Sequence, residues 1–363
     1  MSFGKQVMKI YIEELNLQNY RNFKELQLVF NNNIVIILGD NGSGKTNILE
    51  SISFLSPGRG IRGARSEEIS RNQAGEWQSC IYLQSKLGKA KIEYKYTKNT
   101  GSRTIEYNGS KLSSLELTNL ANIIWLTPQM DGVFLSPAAD RRRFLDRIVY
   151  NFYDQHASNL NKYTHLTSER LKILGGSRDE SWLKILEEKI ADFSAKIVTM
   201  RVKAVGFLQD EILKLDSAFP KAKLSINSLF KTSEEEDNFA ASYAMHLAKN
   251  RQKDAITKRT NFGITQQELI VTHLEKNQLA KFCSTGEQKA LLISILLGQI
   301  EANKSIAKTS PILLLDELFV HLDDRRKNSL AEYIINSKLQ TFITATDISG
   351  LDKIAQVGQI IEI

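Results

Sequence analysis

Gly39-Asp40-Asn41-Gly42-Ser43-Gly44-Lys45-Thr46 satisfies the pattern G-x-x-x-x-G-K-[ST] and stands in the context that the pattern requires. Upstream lies Ile34-Val35-Ile36-Ile37-Leu38, a short, β-branched apolar run of the kind that forms a buried strand. Downstream, Ile48, Leu49, Ile52 and Leu55 recur at helical spacing. Strand, glycine loop and helix in this order make a phosphate cradle. The glycines let consecutive backbone N–H groups turn inward, and the helix N-terminus adds its partial positive charge. Residues Gly39 to Thr46 are therefore expected to hold a nucleoside triphosphate. Lys45 reaches the β- and γ-phosphates, and the Thr46 hydroxyl ligates Mg²⁺. A chance match in a glycine-bearing turn is the competing reading, and it leaves the flanking strand and helix unexplained.

With 363 residues the chain holds one large domain or two of ordinary size. Its charged and apolar fractions are those of a soluble globular protein. Cys80 and Cys283 are the only cysteines, far apart and without metal-ligand spacing. A disulfide framework is thus not expected, which suits a reducing cytoplasm. The stretch up to Tyr11 has no long apolar core, and no segment approaches the length that spans a membrane, so no membrane partner is expected. The first strand pattern begins near Lys9, which makes Met8 a candidate start. A net charge of +7 favours a polyanionic partner, although the distribution of the basic residues says more than their sum.

Residues 9–20 read as a strand, and Leu26, Leu28 and Phe30 mark a second. After the P-loop unit comes a Gly/Arg loop from Pro57 to Arg65. From Cys80 to about Lys111 the pattern is an antiparallel meander. Within it Lys89, Lys91, Glu93 and Lys95 alternate with Ala90, Ile92, Tyr94 and Tyr96, giving one basic face and one apolar face. Asn99-Thr100-Gly101 and Asn108-Gly109 supply the left-handed positions of two hairpins. A strand at Ile123-Ile124-Trp125-Leu126 leads to Thr127-Pro128-Gln129. Helical periodicity dominates from Pro137 to about Leu215 with a break at Gly175-Gly176, and another helical stretch spans 235–257. The expected division is a head formed by 1–136 and 271–363, with a mostly helical lobe inserted at 137–270.

Ile312-Leu313-Leu314-Leu315-Asp316-Glu317 is a buried strand that ends in two carboxylates. Asp316 suits the Walker B position that holds the Mg²⁺ shell, and Glu317 suits the base that orients and partly deprotonates the attacking water. An acidic turn after a buried strand is the plainer alternative. Ser284-Thr285-Gly286-Glu287-Gln288-Lys289 opens a helix and reads either as an ordinary N-cap or as a second anion site. Its spacing ahead of Asp316 resembles the signature loop of the ATP-binding-cassette superfamily, with S-T-G-E in place of S-G-G-Q. In that superfamily the signature loop of one protomer caps the γ-phosphate held by another. The resemblance makes Ser284 and Gly286 nucleotide contacts, matches Asp323 to the D-loop and matches Gln129 to the Q-loop beside the metal.

Over most of its length the sequence resembles the RecF family of bacterial DNA replication and repair proteins. The resemblance rests on Leu17-x-x-Tyr20-Arg21-Asn22-Phe23, the P-loop with Asn47 to Glu50, Leu55-Ser56-Pro57-Gly58-Arg59 and Pro128-Gln129. It continues through Arg141-Arg142-Arg143-Phe144-Leu145-Asp146, Ser284-Thr285-Gly286, Leu315-Asp316-Glu317 and Phe342 to Asp347. It implies an α/β fold, an ABC/SMC-like P-loop ATPase head of mixed sheet with an antiparallel meander, carrying a compact helical lobe. It also implies ATP and Mg²⁺ as cofactors, ATP-dependent homodimerisation, DNA binding, slow hydrolysis, and RecR and RecO mediators as partners. Two departures stand out: Glu287 replaces the usual Gln, and Gly263 to Glu268 replaces a lobe motif usually written G-P-H-R-D-D.

Arg59, Arg62, Arg65, Lys89, Lys91, Lys95 and Arg141 to Arg143 are the candidate phosphate contacts to DNA. With no base-reading motif among them they suggest binding without sequence specificity. Each also reads as a solvated surface charge. Arg142 and Asp146 have the spacing of a helical ion pair, and Arg59 or Arg62 alternatively approaches the nucleotide. Two rival functions are a transporter nucleotide-binding subunit and a nucleotide-gated scaffold with negligible hydrolysis. The long insertion and the missing switch histidine count against the first, and the Asp316-Glu317 pair against the second.

Overall fold

The computed structural model describes residues 10–85, 87–176, 179–230, 233–307 and 310–363, and Met8 lies outside them. The chain forms two compact units. One contains the chain up to Gly132 together with Glu211–Lys221 and Ser284–Ile363; the other contains Val133–Asp210 and Ala222–Cys283.

Strand pairing explains why these limits differ from the expected ones at 137 and 270. The strand Leu269–His273 pairs antiparallel with Ala222–Ile226 and with Gln278–Leu279, so 271–283 goes with the second unit. Residues 211–221 go the other way. Ser305 donates to Glu211 at 3.2 Å, and the Ala218 amide donates to Ser329 at 3.3 Å.

In the first unit a parallel sheet runs in the spatial order Gln359–Glu362, Ile34–Leu38, Thr341–Ala345, Ile312–Asp316, Ile123–Leu126. Val35, Ile36, Ile37 and Ile312 to Leu315 are fully buried, which is why these strands read as unbroken apolar runs rather than as alternations. The edge strand Gln359–Glu362 was not anticipated. Its two isoleucines are too few to make a pattern, and Ile360 is exposed.

An antiparallel sheet in the order Phe23–Val29, Tyr11–Tyr20, Glu76–Ser85, Gly88–Thr97, Arg103–Tyr107, Ser110–Lys111 forms the meander. Gly101, Asn108 and Gly109 adopt positive φ at its turns, as the sequence predicts. The helix Lys45–Ser53 contributes Ile48, Leu49 and Ile52 to one core with Ile12, Leu15 and Leu17 of this sheet and Val35 and Ile37 of the parallel one.

Tyr20 and Arg21 fasten that helix to the antiparallel sheet. Arg21 Nε and Nη2 donate to Glu50 at 2.8 and 2.6 Å, and the Tyr20 hydroxyl donates to it at 3.3 Å. The Glu50 side chain has no solvent exposure. Arg21→Leu leaves that carboxylate buried without its cation, at an expected cost of about 3 kcal/mol or more. Urea unfolding measures it, and a loss below about 1 kcal/mol would mean that the pair is relaxed by water.

The second unit is mostly helical, with Ala138–Tyr150, His156–Gly175, Phe239–Lys249, Arg251–Thr257 and most of Glu180–Lys214. Its core includes Tyr163, Ile190, Ile197, Tyr243, Leu247 and Phe262. Fully buried Arg170 is satisfied by Glu187 at 2.9 Å, Asp254 at 2.7 Å and the Leu247 carbonyl at 2.7 Å. Buried charge is tolerable only when answered this completely.

Asp146 does not pair with Arg142, the partner its spacing suggested. Its carboxylate is taken by Arg201 at 2.8 and 2.9 Å and by His156 at 2.8 Å. Burial works to raise the Asp146 pKa, but the His156 hydrogen bond and the Arg201 charge outweigh it and hold the group below its ordinary value. Arg201 also reaches the divergent Gly263 to Glu268 segment, donating to the Ile264 carbonyl and Gln267 Oε1 at 3.1 Å each. Gly263 has φ of 146°, and a Cβ there would lie 2.3 Å from the Tyr243 hydroxyl. This segment therefore clasps the lobe from inside. Cys80 and Cys283 are buried, and among the described residues they form no disulfide and no helix is long and apolar enough to cross a membrane.

Candidate functional site

The carboxyl ends of the parallel strands bring the nucleotide motifs to one edge of the sheet. In register, Leu38 lies opposite Ala345, Asp316 opposite Thr344, and Leu315 opposite Leu126. The P-loop, Asp316-Glu317, Thr346 and the Gln129 turn thus leave neighbouring strands at the same end, where open α/β sheets bind ligands.

Within the P-loop, Asp40, Asn41 and Gly42 are exposed, whereas Gly44 and Lys45 are buried. Gly44 caps the helix with φ of 116°, and a Cβ there would lie 2.5 Å from Phe23 and 2.6 Å from Asn22. Asn22 belongs to the Tyr-Arg-Asn-Phe entry, and its amide donates to the Ser43 carbonyl. Asn47 of the P-loop helix in turn donates to Asn22 at 2.7 Å. Lys45 Nζ donates to the Gly39 and Asp40 carbonyls at 2.7 and 2.9 Å, which holds its charge at the loop. Ser43 Oγ is buried without a hydrogen-bond partner among the described residues. An unanswered hydroxyl beside a tethered ammonium and a helix N-terminus suits a phosphate oxygen.

Thr46 Oγ1 lies 3.0 Å from both carboxylate oxygens of Asp316. A hydroxyl and a carboxylate at this separation, next to the phosphate cradle, are the hard oxygen ligands that Mg²⁺ takes together with phosphate oxygens and water. Thr344 Oγ1 donates to Asp316 at 2.6 Å and fixes its orientation. Glu317 follows with φ of 48°, a left-handed conformation unusual for a residue with a side chain, and its amide lies 3.2 Å from the Thr344 carbonyl and 3.1 Å from the Thr344 hydroxyl. Its carboxylate is half-buried beyond the strand end. Gln129 sits in a turn after Ile123–Leu126, exposed, and its side chain makes no hydrogen bond among the described residues.

Ser284, Thr285 and Gly286 form the exposed tip of the helix Thr285–Ala302. Ser284 and Glu287 make a reciprocal cap, with the Ser284 amide and hydroxyl each donating to Glu287 Oε2 at 2.9 Å. The departure at Glu287 thus has a local job in closing the helix end. Asp323 also caps a helix, Asp324–Ser337, by accepting from the Arg326 amide at 2.9 Å.

Lys289 closes the Ser284–Lys289 stretch, but sequence reasoning gave its side chain no role. It is buried; its Nζ donates to the Val320 carbonyl at 2.7 Å and lies 3.8 Å from Asp131. Burial pushes its pKa down against the opposing pull of Asp131 and Glu317. It ties the Ser284 helix to the loop after Glu317 and to the segment after Gln129.

The candidate DNA contacts are scattered in kind. Lys89 lies 3.9 Å from Glu13, Lys91 lies 3.5 Å from Glu93, and Lys95 bridges Glu93 and Glu106 at 3.1 and 3.2 Å. Arg141 pairs with Glu268 at 2.6 Å, and Arg143 pairs with Asp140. Arg62 donates to Asn47 at 2.6 Å, joining the P-loop bracing of Asn22. Arg65 lies 3.7 Å from Glu67, and Arg59 makes no ion pair among the described residues.

Residues 11–362 match the family model described as RecF/RecN/SMC N terminal domain. A protein of Rickettsia bellii called DNA replication and repair protein RecF is 46% identical over 98% of this chain and 99% of its own. Among solved structures, the recombination mediator protein RecF-ATPrS in the RecFOR pathway superposes with a TM-score of 0.84 at 24% identity, covering 99% of this chain and 97% of that one. The corresponding RecF-ATP structure gives 0.83 at 25%, covering 95% and 94%. With a relative this similar over nearly its whole length, and with the P-loop, the Asp316-Glu317 strand and the Ser284 helix on one ATPase scaffold, the chain belongs to the RecF family.

Proposed function

We propose that the chain is an ATP-dependent DNA-binding protein of recombinational repair and replication-fork maintenance. ATP held by the P-loop of one copy is capped by the Ser284 helix tip of a second, and the resulting dimer clamps DNA. Mediators of the RecO and RecR type are its partners in loading recombinase at gaps, and it works in the cytoplasm. The observation that carries the reading is the contact of Thr46 with Asp316 beside the P-loop, which joins the phosphate and metal halves of an ATPase site.

In this reading the loop amides and Lys45 hold the phosphates, and Thr344 keeps Asp316 aimed at Thr46. Thr46 and Asp316, with Gln129, would hold Mg²⁺, which would supply charge neutralisation on the phosphate oxygens. Glu317 orients and deprotonates the attacking water. Hydrolysis is slow and stimulated by DNA. The exposure of Ser284 to Gly286 supports capping in trans, since a buried tip would have no access to a neighbour.

Light scattering with and without ATP and DNA tests the assembly, and the expected result is a doubling of mass with ATP. Duplex affinity measured with ATP, ADP and no nucleotide tests the coupling; equal affinity in all three states would remove it. Gly286 offers a cleaner probe, because a Cβ there meets nothing within 4 Å in its own chain. Gly286→Asp should leave folding and ATP binding by the monomer intact yet abolish the ATP-dependent mass increase. A variant that still dimerises would place the cap elsewhere.

A further inference from the structure

The meander and the Gly/Arg loop enclose a cleft of about 750 Å³ whose lining is unlike the rest of the basic surface. Arg59, Arg65, Arg103 and Lys111 line it, and among the described residues the carboxylate of Glu67 is the only acid in the lining. The lysine face of the strand Gly88–Thr97 looks more basic in sequence, but its three lysines meet Glu13, Glu93 and Glu106. Those lysines are therefore answered by carboxylates, whereas the residues lining the cleft keep a surplus of three. A concave, low-dielectric wall focuses such a surplus on an incoming anion.

The cleft is also built rather than incidental. The Arg103 guanidinium lies 4.4 Å over the Phe54 ring and 5.3 Å from the Tyr94 ring, and Nη2 donates to the Gly58 carbonyl at 3.1 Å. This pins the meander to the Gly/Arg loop and leaves a half-buried cation with no carboxylate partner among the described residues. Arg59 and Lys111 likewise have no ion pair there. The hydroxyls of Ser102, Ser113 and Ser114 add neutral donors, and among the described residues no aromatic ring lines the cleft to stack on a base.

We propose that this cleft, and not the lysine face, holds the phosphodiester backbone of DNA. The proposal rests on the DNA-binding reading above and gives it an address. Cations and hydroxyls without a base-reading element fit sequence-independent backbone contact. A duplex presents such phosphates in a continuous row, whereas a free nucleotide presents a short cluster beside a base that nothing in the cleft would stack against.

The test measures duplex affinity against salt concentration for three proteins in the presence of ATP. Among the described residues the Arg59 and Lys111 side chains make no hydrogen bond or ion pair, so Arg59→Ala combined with Lys111→Ala should fold normally and bind ATP as the wild type does. It should lower the slope of log affinity against log salt by about two, at about 0.9 per phosphate contact. Lys89→Ala, Lys91→Ala and Lys95→Ala together should leave that slope unchanged. A wild-type slope in the double variant, or a reduced slope in the lysine triple, would overturn the assignment while leaving DNA binding itself intact. Loss of ATP affinity in the double variant would overturn it in favour of a nucleotide site. A wild-type protein that binds no duplex in any nucleotide state would instead defeat the underlying DNA reading.

Discussion

Lys45→Ala is expected to weaken ATP binding on the order of a hundredfold, to abolish the ATP-dependent dimer and to leave folding intact. The side chain is a buried ammonium held by two loop carbonyls at 2.7 and 2.9 Å. Those contacts keep the charge where the β- and γ-phosphates enter. Charge-assisted hydrogen bonds of this kind are worth about 1.5–3 kcal/mol each, so losing one or two accounts for the expected factor. Calorimetric titration with ATP reads the affinity, and thermal unfolding of the nucleotide-free protein separates a binding defect from a folding one. An affinity within a few-fold of wild type would mean that the loop amides alone hold the phosphates.

The second large effect is the reverse in character. Glu317→Gln should cut steady-state hydrolysis by about 10²–10⁴-fold, the usual contribution of a positioned base, while ATP binding persists. The amide keeps the shape and the left-handed backbone at this position, where the amide N–H is anchored to Thr344. The ATP-bound dimer should therefore accumulate and stay visible by light scattering long after the wild type has returned to monomer. Hydrolysis at wild-type rate in this variant would remove Glu317 as the base. The two variants together separate capture of ATP from its consumption.

Much of this site could be read one motif at a time. The glycine loop, the apolar strand ending in Asp316-Glu317 and the Ser284 helix start are each short and contiguous. Their chemistry depends on backbone conformation that neighbouring residues dictate. The same holds for the meander, where alternation placed Tyr94 and Tyr96 in the core and the glycine turns fell where expected. Three contacts were hidden. Thr344 steadies Asp316 only because their strands lie in register, Asn22 braces Ser43 only because the first strand turn folds over the loop, and Lys289 matters only through Val320 and Asp131.

Charge was the least legible property. Lys89, Lys91 and Lys95 form an obvious basic row, yet Glu106 approaches it from the neighbouring strand and Glu13 from the next strand but one. Arg142 and Asp146 have ideal helical spacing, yet Arg201 takes the carboxylate. The same cause underlies each case. Local words of sequence specify a turn, a strand or a helix end through short-range sterics and hydrogen bonding, so the ATPase motifs and the fold class could be read directly. Which charge answers which depends on side chains brought within a few ångströms from distant parts of the chain. Electrostatic energy is settled at that range, and only the folded packing sets it.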